Sequence, residues 1–386
     1  MSVGSPSLVA TPPQELLLRA AVMDGPAAVA AWQAWSRTVN IETDLDHGSF
    51  RLLSLVYVNL QRLRVDDPLM GRLKGIYRQA WSRNQTLFHD LAPVVERLRA
   101  AGIRTLLLKG APLSLLHYRN NGARPMSDLD LLVPHGQARA AHDLLVAAGW
   151  TATPVLTEGL LRYDHSVPLT NAAGRELDLH WRLFHGCCAA AEDEFWEGAV
   201  PVTMAGATTL APNVTDLLFH TVIHGMAWNP EPPIRWVADA LALLRTPDAA
   251  VDWPRLLRLA ERHRVSLRLR NGLEYLCGRF GAPVPPAVLT ALRRRFVGHF
   301  ERQEYRFLQT PLEVRKARPY LTLAYHFFVY RRLTAQGQCP LPGGFAAYLR
   351  WVLHAESNTE LLCRMARRGL RVTGVRLGCR RRLAQA

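Results

Sequence analysis

Apolar positions in the first part of the chain have the spacing of helices. One apolar face, with residues three and four apart, is formed by Leu52, Leu55, Val56, Leu60 and Leu63. This periodicity predicts helices across residues 14–77. A further helix is predicted from Asn84 to Ala101, because Gly102 is a typical residue just beyond a helix C-terminus.

Between residues 103 and 183 the pattern changes to short apolar runs and alternation, which predict strands. The predicted strands are residues 103–108, 128–133, 166–170 and 176–183. Helices predicted at 111–118 and 138–148 alternate with the first two strands, and residues 171–174 form the turn of a hairpin. This order predicts a small α/β (α+β) unit with a mixed sheet.

Helical spacing returns beyond residue 213. The predicted helices are residues 216–228, 235–245, 253–264 and 267–280. We therefore divide the chain into an N-terminal helical segment (1–79), an α/β core (80–212) and a C-terminal helical domain (213–386). The domain ends in a basic tail, because residues 364–382 contain eight arginines and no acid.

Composition is that of a globular protein, and the charge permits anionic partners, although a high arginine content can also reflect a high-GC genome. Of 386 residues, 49% are hydrophobic, and 47 Lys and Arg against 32 Asp and Glu give a net charge of +15. Such a charge favours NTPs, RNA or acidic protein surfaces. The first thirty residues lack a signal-peptide pattern, and the apolar run Leu321–Tyr330 is about half the ~20 residues that span a bilayer. We expect a cytoplasmic protein with no membrane partner.

Cysteine and histidine spacing gives little support for a structural metal site. The six cysteines, at 187, 188, 277, 339, 363 and 379, contain no CxxC pair. Adjacent Cys187 and Cys188 either bind metal or are ordinary reduced thiols, and we expect the latter. His220 and His224 are one helical turn apart and either bind metal or, as we expect, line a pocket or pack.

Three aspartates have the spacing of a carboxylate site. Residues two apart in a strand lie on one face, so Asp128 and Asp130 point the same way. Asp178 and His180 share a face of the later strand. If the two strands are neighbours, three carboxylates converge.

Converging carboxylates need a cation. Like charges ~4 Å apart repel by about 4 kcal/mol at an effective dielectric near 20. Mg²⁺ relieves this repulsion, because it binds hard oxygen ligands and keeps positions for phosphates. The alternative is that these aspartates are ordinary solvated residues at a strand edge. The third Asp between apolar residues favours the metal site.

The motifs together resemble a known family. The segments LKG, SDLDLLV and LDLHW, at residues 108–110, 127–133 and 177–181, are similar to the DNA polymerase β-like nucleotidyltransferase superfamily. More narrowly they resemble the uncharacterised bacterial nucleotidyltransferase family NTP_transf_5. The helical half of that family is similar to RWVADALALL at 235–244, and the resemblance covers about residues 85–280.

The resemblance implies roles for the three aspartates. Asp128 and Asp130 are expected to bind catalytic Mg²⁺, with Mn²⁺ as an alternative. Asp178 is expected to bridge to the metal beside the acceptor and to assist its deprotonation. One departure is Ala111, where the superfamily usually has Ser or Gly. Phosphate binding is then expected from backbone N–H groups at the start of the Ala111 helix.

Five further residues are predicted to contact the nucleotide: Lys109, Gly110, Arg124, Ser127 and His180. Each has a second interpretation. Gly110 could serve backbone geometry alone. Lys109 could simply reach solvent, and Arg124 could pair with a nearby acid instead of phosphate. Ser127 could bond locally, and His180 could bond Asp178. Asp239 is predicted to be a buried anchor, with Arg235 as its partner.

The resulting hypothesis is transfer of NMP from an NTP, with ATP the expected donor, and release of pyrophosphate. The acceptor is either a small molecule or sugar, or a protein or tRNA, and the basic tail is a candidate nucleic-acid contact. The alternative is a catalytically weak nucleotide- or RNA-binding regulatory protein that retains the fold.

Overall fold

Seven strands form one sheet in the part of the chain that the computed structural model describes, residues 10–185, 187, 189–227, 234–246, 250–310, 319–334 and 344–372. The strands are β1 Leu106–Leu107, β2 Asp128–Leu132, β3 Trp150–Ala152, β4 Ser166–Asn171, β5 Glu176–His180, β6 Val200–Met204 and β7 Ala207–Ala211. Their order is β3-β4-β5-β2-β1-β7-β6.

The sheet is mixed. β2 runs parallel to β5, and β1 runs parallel to β7. The pairs β1–β2, β3–β4, β4–β5 and β6–β7 are antiparallel. The predicted hairpin around residues 171–174 is present as β4–β5, and the predicted α/β fold with a mixed sheet is confirmed.

Helices cover the sheet and continue beyond it. The helices before β2 are α1 Pro12–Val22, α2 Gly25–Thr38, α3 His47–Phe50, α4 Leu53–Arg62, α5 Met70–Ala100 and α6 Gly110–Pro112. A π-helical turn, Leu113–Tyr118, continues α6, and a 3₁₀ turn, His135–Gln137, precedes α7. Between β2 and β6 lie α7 Ala138–Ala147, α8 Glu158–Tyr163 and α9 Ala189–Glu197.

The remaining helices are C-terminal to the sheet. They are α10 Val214–Gly225, α11 Arg235–Leu244, α12 Trp253–Arg262, α13 Ser266–Phe280, α14 Pro286–Arg294, α15 His299–Gln309, α16 Pro319–Thr334, α17 Gly344–Val352 and α18 Asn358–Val372. The four helices predicted beyond residue 213 correspond to α10–α13. Cys188, Cys339, Cys379 and the basic tail beyond residue 372 lie outside the described residues.

Helix α5 connects the N-terminal helices to the sheet. Its 31 residues span about 46 Å at 1.5 Å per residue. Leu73 and Ile76 pack in the core of the N-terminal and C-terminal helices, whereas Leu87 and Leu91 pack beneath the sheet. The helix runs through position 79/80, and the division of the chain into three parts stays a prediction.

Alternation along β2 and β5 positions the polar residues. Leu129, Leu131, Leu177 and Leu179 are buried in the core that contains α5 and α7. Each such side chain stabilises the fold by about 1.5–3 kcal/mol through burial. Because neighbours along a strand point to opposite faces, Asp128, Asp130 and Asp178 are held on the other face of the sheet.

The β6–β7 hairpin is an element that the sequence pattern did not predict. Its two-residue turn is Ala205–Gly206, and both residues have positive φ, 46° and 90°. Such a turn matches the right-handed twist of a hairpin.

The described helices do not include a candidate membrane span. None of them is both long enough and apolar enough to cross a membrane.

Candidate active site

Two neighbouring parallel strands bring the three predicted carboxylates to one face of the sheet. Asp130 of β2 and Asp178 of β5 are Cα partners in the ladder. Asp128 lies two residues before Asp130, on the same side. Asp130 is buried, with 6% of its surface exposed, and Asp178 and Asp128 are partly buried.

A lysine and a histidine contact these carboxylates. The ammonium of Lys109 lies 2.5 Å from Oδ1 of Asp130. Nε2 of the buried His180 lies 3.1 Å from the same oxygen and 3.0 Å from Oδ2 of Asp178. Lys109 adopts φ 50° and ψ −109° at the end of β1, and a non-glycine residue in such a conformation costs about 1–3 kcal/mol. Strain of this kind is concentrated at functional sites.

The charges in this cluster are strongly coupled. Burial opposes ionisation of Asp130, but the Lys109 ammonium and His180 hold its pKa far below the usual range. Burial and Lys109 oppose protonation of His180, but Asp178 and Asp130 outweigh them and raise its pKa to about 9. Burial, and next to it the charge of Asp130, raises the pKa of Asp128. Asp128 is therefore the carboxylate whose negative charge is least compensated.

Asp178 supplies an observation that fits a metal ligand. Burial opposes its ionisation, but His180 keeps its pKa low, so the carboxylate is charged. Its Oδ1 is buried and accepts no hydrogen bond from the described residues. Buried polar atoms in native proteins nearly always have a partner. Three carboxylates, one with an unused oxygen, are donors of the kind that Mg²⁺ binds.

A cavity of about 440 Å³ opens beside β2. Its volume falls within the ~300–1,000 Å³ typical of small-molecule sites. Asp178 is not among the residues lining it. Three separate segments line it: the N-terminal helices with His47, Gly48 and Arg51, the sheet region with Lys109, Gly110, Leu113, Arg124, Met126, Asp128 and Asp130, and the C-terminal helices with His220, Thr221, His224, Gly225, Ile234, Arg235, Trp236 and Asp239.

Two arginines that line this cavity form no ion pair with a described residue. Neither Arg51 nor Arg235 has an acidic side chain within ion-pair distance in the described ranges, and Arg235 donates to the carbonyl of Pro125 at 2.6 Å. Burial, and then the charge of Arg124, lowers the pKa of both arginines. Guanidinium groups without an ion-pair partner in a cavity favour an anionic ligand. Sequence reasoning did not predict a phosphate contact for either residue.

Arg124 and Asp239 form a buried ion pair across the cavity wall. Nε of Arg124 lies 3.0 Å from Oδ1 of Asp239, and Nη2 lies 3.0 Å from Oδ2. The Tyr118 hydroxyl donates to the same carboxylate at 3.0 Å. The prediction that Asp239 anchors Arg235 was wrong, because Arg124 lies against Asp239 and Arg235 turns to the backbone. Arg124 therefore pairs with a nearby acid, which is the second of its two predicted roles.

Two other groups predicted to contact the nucleotide are Ser127 and the backbone amides that follow Lys109. Ser127 is exposed, and its hydroxyl lies 3.3 Å from Oδ1 of Asp128, as its local interpretation describes. The helix start after Lys109 offers few free amides, because Pro112 has none and the Leu113 N–H bonds the carbonyl of Gly110. The phosphate-binding roles of Lys109, Gly110, Arg124, Ser127 and His180 stay predictions.

Gly110 is required by close packing. A Cβ at this position would lie 2.3 Å from Nη1 of Arg124 and 2.6 Å from Sδ of Met126. Because Asp239 holds Arg124 in place, we expect Gly110→Ala to lower the free energy of unfolding by about 1–3 kcal/mol. Denaturant unfolding measures this loss. Gly71→Ala is the control, because the space around Gly71 in α5 is open and Ala favours a helix by up to about 1 kcal/mol.

The fold and the site define the class of protein. A mixed sheet carries carboxylates on two adjacent parallel strands, beside a cavity with excess positive charge. The profile of the family described as "uncharacterised nucleotidyltransferase", NTP_transf_5, matches residues 49–302. The chain belongs to this family.

Other comparisons give a distant neighbour. A solved structure of an antigenic nucleotidyltransferase-like protein from Paracoccidioides brasiliensis is similar to 55% of this chain and 94% of its own length, with 14% identity and a TM-score of 0.33. No curated protein matches the chain.

Proposed function

We propose that the protein catalyses metal-dependent transfer of NMP from an NTP to an acceptor, in the cytoplasm. An acceptor oxygen attacks the α-phosphorus, the bond from that phosphorus to the β-phosphate oxygen breaks, and pyrophosphate leaves with the pair of electrons. The observation that carries the proposal is the meeting of three carboxylates beside a cavity lined by two arginines. Among the described residues, one buried carboxylate oxygen has no hydrogen-bond donor and the two arginines have no ion-pair partner.

The carboxylates have a defined part in this proposal. Asp128, Asp130 and Asp178 would hold Mg²⁺ or Mn²⁺, which supplies charge neutralisation for the phosphates and activation of the attacking oxygen. Asp178, the one of the three that does not line the cavity, would face the acceptor and receive its proton. His180 fixes the orientation of both Asp130 and Asp178 through its hydrogen bonds.

The cationic residues would bind and orient the triphosphate. Arg51 and Arg235 line the cavity from segments on either side of the sheet region in the sequence, and neither forms an ion pair with a described carboxylate. Lys109 pairs with Asp130, and its ammonium would be available to phosphate once a cation neutralised that carboxylate. Catalysis of this type depends mainly on positioning and electrostatic stabilisation.

One observation favours the alternative of a nucleotide- or RNA-binding regulatory protein. Lys109 and His180 already bring two positive charges to the three carboxylates, so the cluster does not depend on metal for much of its compensation. In such a protein the cavity would bind a nucleotide without turnover.

Incubation with each α-labelled NTP and Mg²⁺ or Mn²⁺ separates these functions. Small-molecule pools, tRNA and protein lysate are offered separately as acceptors. Label transferred to one pool supports the proposal and selects the acceptor class. Metal-dependent NTP binding without transfer to any pool would favour the regulatory protein, and absence of both would contradict the site.

Arg51 gives a separate test of triphosphate binding. A hydrogen bond to a charged group contributes about 1.5–3 kcal/mol, so we expect Arg51→Ala to weaken NTP binding about 10- to 100-fold. Titration calorimetry with a non-hydrolysable NTP measures this change. The matched control is Arg72→Ala, because Arg72 pairs with Glu42 on the exposed surface of the same helical segment. Equal affinities of both variants would exclude Arg51 from the site.

A further inference from the structure

One carboxylate and two imidazoles, side chains of the types that bind metals, meet at one end of the β4–β5 hairpin. Asp164 and His165 precede β4, and His185 follows β5. One ligand atom from each residue lies within 4.8 Å of the others. Nδ1 of His165 lies 2.7 Å from Oδ1 of Asp164, and Nδ1 of His185 lies 3.4 Å from the same oxygen. The His165 ring contacts that of His180, with centroids 5.4 Å apart.

The backbone beneath this cluster is fixed by cross-links between its two segments. The indole N–H of Trp181 and the guanidinium of Arg182 both donate to the carbonyl of Asp164, at 2.9 and 3.2 Å. The backbone N–H groups of Trp181 and Arg182 donate to the carbonyl of His165, at 2.9 and 3.2 Å. Support of this kind positions side chains before a ligand binds.

Among the described residues, no formal cation lies beside the carboxylate of Asp164. The described ranges contain no Lys or Arg within ion-pair distance of its oxygens, and Arg182 is directed to main-chain carbonyls. The three side chains are 28–32% exposed, so an ion can reach them from solvent.

We propose that Asp164, His165 and His185 bind one divalent transition metal ion of the zinc class. Two imidazole nitrogens and a carboxylate form a ligand set that Zn²⁺ and Co²⁺ prefer, whereas Mg²⁺ prefers oxygen alone. Tetrahedral ligands on ~2.05 Å bonds are about 3.3 Å apart. The His185 distance already fits, and the His165 distance must open by roughly 0.6 Å. The fourth position is left for water or a ligand.

Cobalt binding to the full chain, stripped of metal by chelation, tests this site. With excess Mg²⁺ present to occupy the carboxylates, we expect one Co²⁺ per chain, visible through d–d absorption, which one equivalent of Zn²⁺ displaces. Loss of an outer-sphere partner alone weakens metal binding about 10- to 100-fold, so His185→Ala should weaken it at least ~100-fold. Asp164→Asn should have a similar effect.

Two controls locate the ion. His135→Ala removes an imidazole near the same region, since His135 contacts the carbonyl of Leu161 in α8, and it should leave Co²⁺ binding unchanged. Asp128→Asn, in the candidate active site, should also leave it unchanged. His185→Gln, with circular dichroism, separates ligand loss from unfolding. The proposal is overturned if stoichiometric Co²⁺ binding is absent, if it survives in both folded His185 variants, or if Asp128→Asn removes it.

Discussion

Replacing Asp128 with Asn is expected to abolish nucleotidyl transfer while leaving the fold intact. A single electrostatic contact to a reacting group contributes about 10²–10³-fold in rate, so loss of a metal ligand should lower kcat at least ~10³-fold, roughly 4 kcal/mol. Burial and the neighbouring charge of Asp130 already destabilise ionised Asp128. The metal-free variant should therefore be as stable as the unaltered protein, or more stable.

The transfer assay and denaturant unfolding together check this prediction. Asp143→Asn is the matched control, because Asp143 is an exposed carboxylate on α7, which packs on the opposite face of the sheet. It should change neither quantity. A kcat of Asp128→Asn within tenfold of that of the unaltered protein would show that Asp128 is not a catalytic metal ligand. A lower free energy of unfolding would show that repulsion by Asp130 does not destabilise the Asp128 carboxylate.

Among the variants considered, Asp239→Asn is expected to lower the free energy of unfolding the most. The side chains of Arg124 and Asp239 are 8% and 4% exposed, so the variant leaves a guanidinium buried without a counter-ion. Arg51 and Arg235 add positive charge around it. Breaking a buried pair in this way costs about 3–5 kcal/mol. The free energy of unfolding, from denaturant titration, measures the loss.

An exposed pair provides the comparison. Glu158→Gln breaks the pair with Arg139, whose side chains are 81% and 40% exposed, and should cost at most about 1 kcal/mol. Combining Arg124→Met with Asp239→Leu removes both charges and should recover most of the stability, because the unpaired charge is the cause of the loss. If Asp239→Asn lowered the free energy of unfolding no more than Glu158→Gln does, water would have to reach Arg124.

The elements that the sequence predicted well are those with strong alternation. β2 and β5 carry leucines on one face and polar residues on the other, so both their existence and their polar face followed from period alone. The β6–β7 hairpin was missed, because Thr203, Thr208 and Thr209 dilute its apolar pattern and Ala205–Gly206 is a weak turn motif. The short β1 strand was predicted too long.

The site was predictable where it is local and not where it depends on tertiary packing. Asp128, Asp130 and Asp178 follow from strand spacing and one assumption, that the strands are neighbours, which the ladder bears out. Arg51 and Arg235 reach the cavity from helices far apart in the chain, and no sequence spacing relates them to the carboxylates. The predicted partner of Asp239 was wrong because Arg235, four residues earlier on the same helix, was assumed to pair with it. In the structure Asp239 pairs instead with Arg124, which is distant in the sequence.

The cavity walls come from three separate stretches of chain, and this has a thermodynamic consequence. A molecule that binds between them contacts all three only in the native state, so mass action must raise the melting temperature. At a concentration of one hundred times Kd, the gain is about 2.7 kcal/mol. A thermal-shift screen of nucleotides would therefore rank them by affinity without any knowledge of the acceptor.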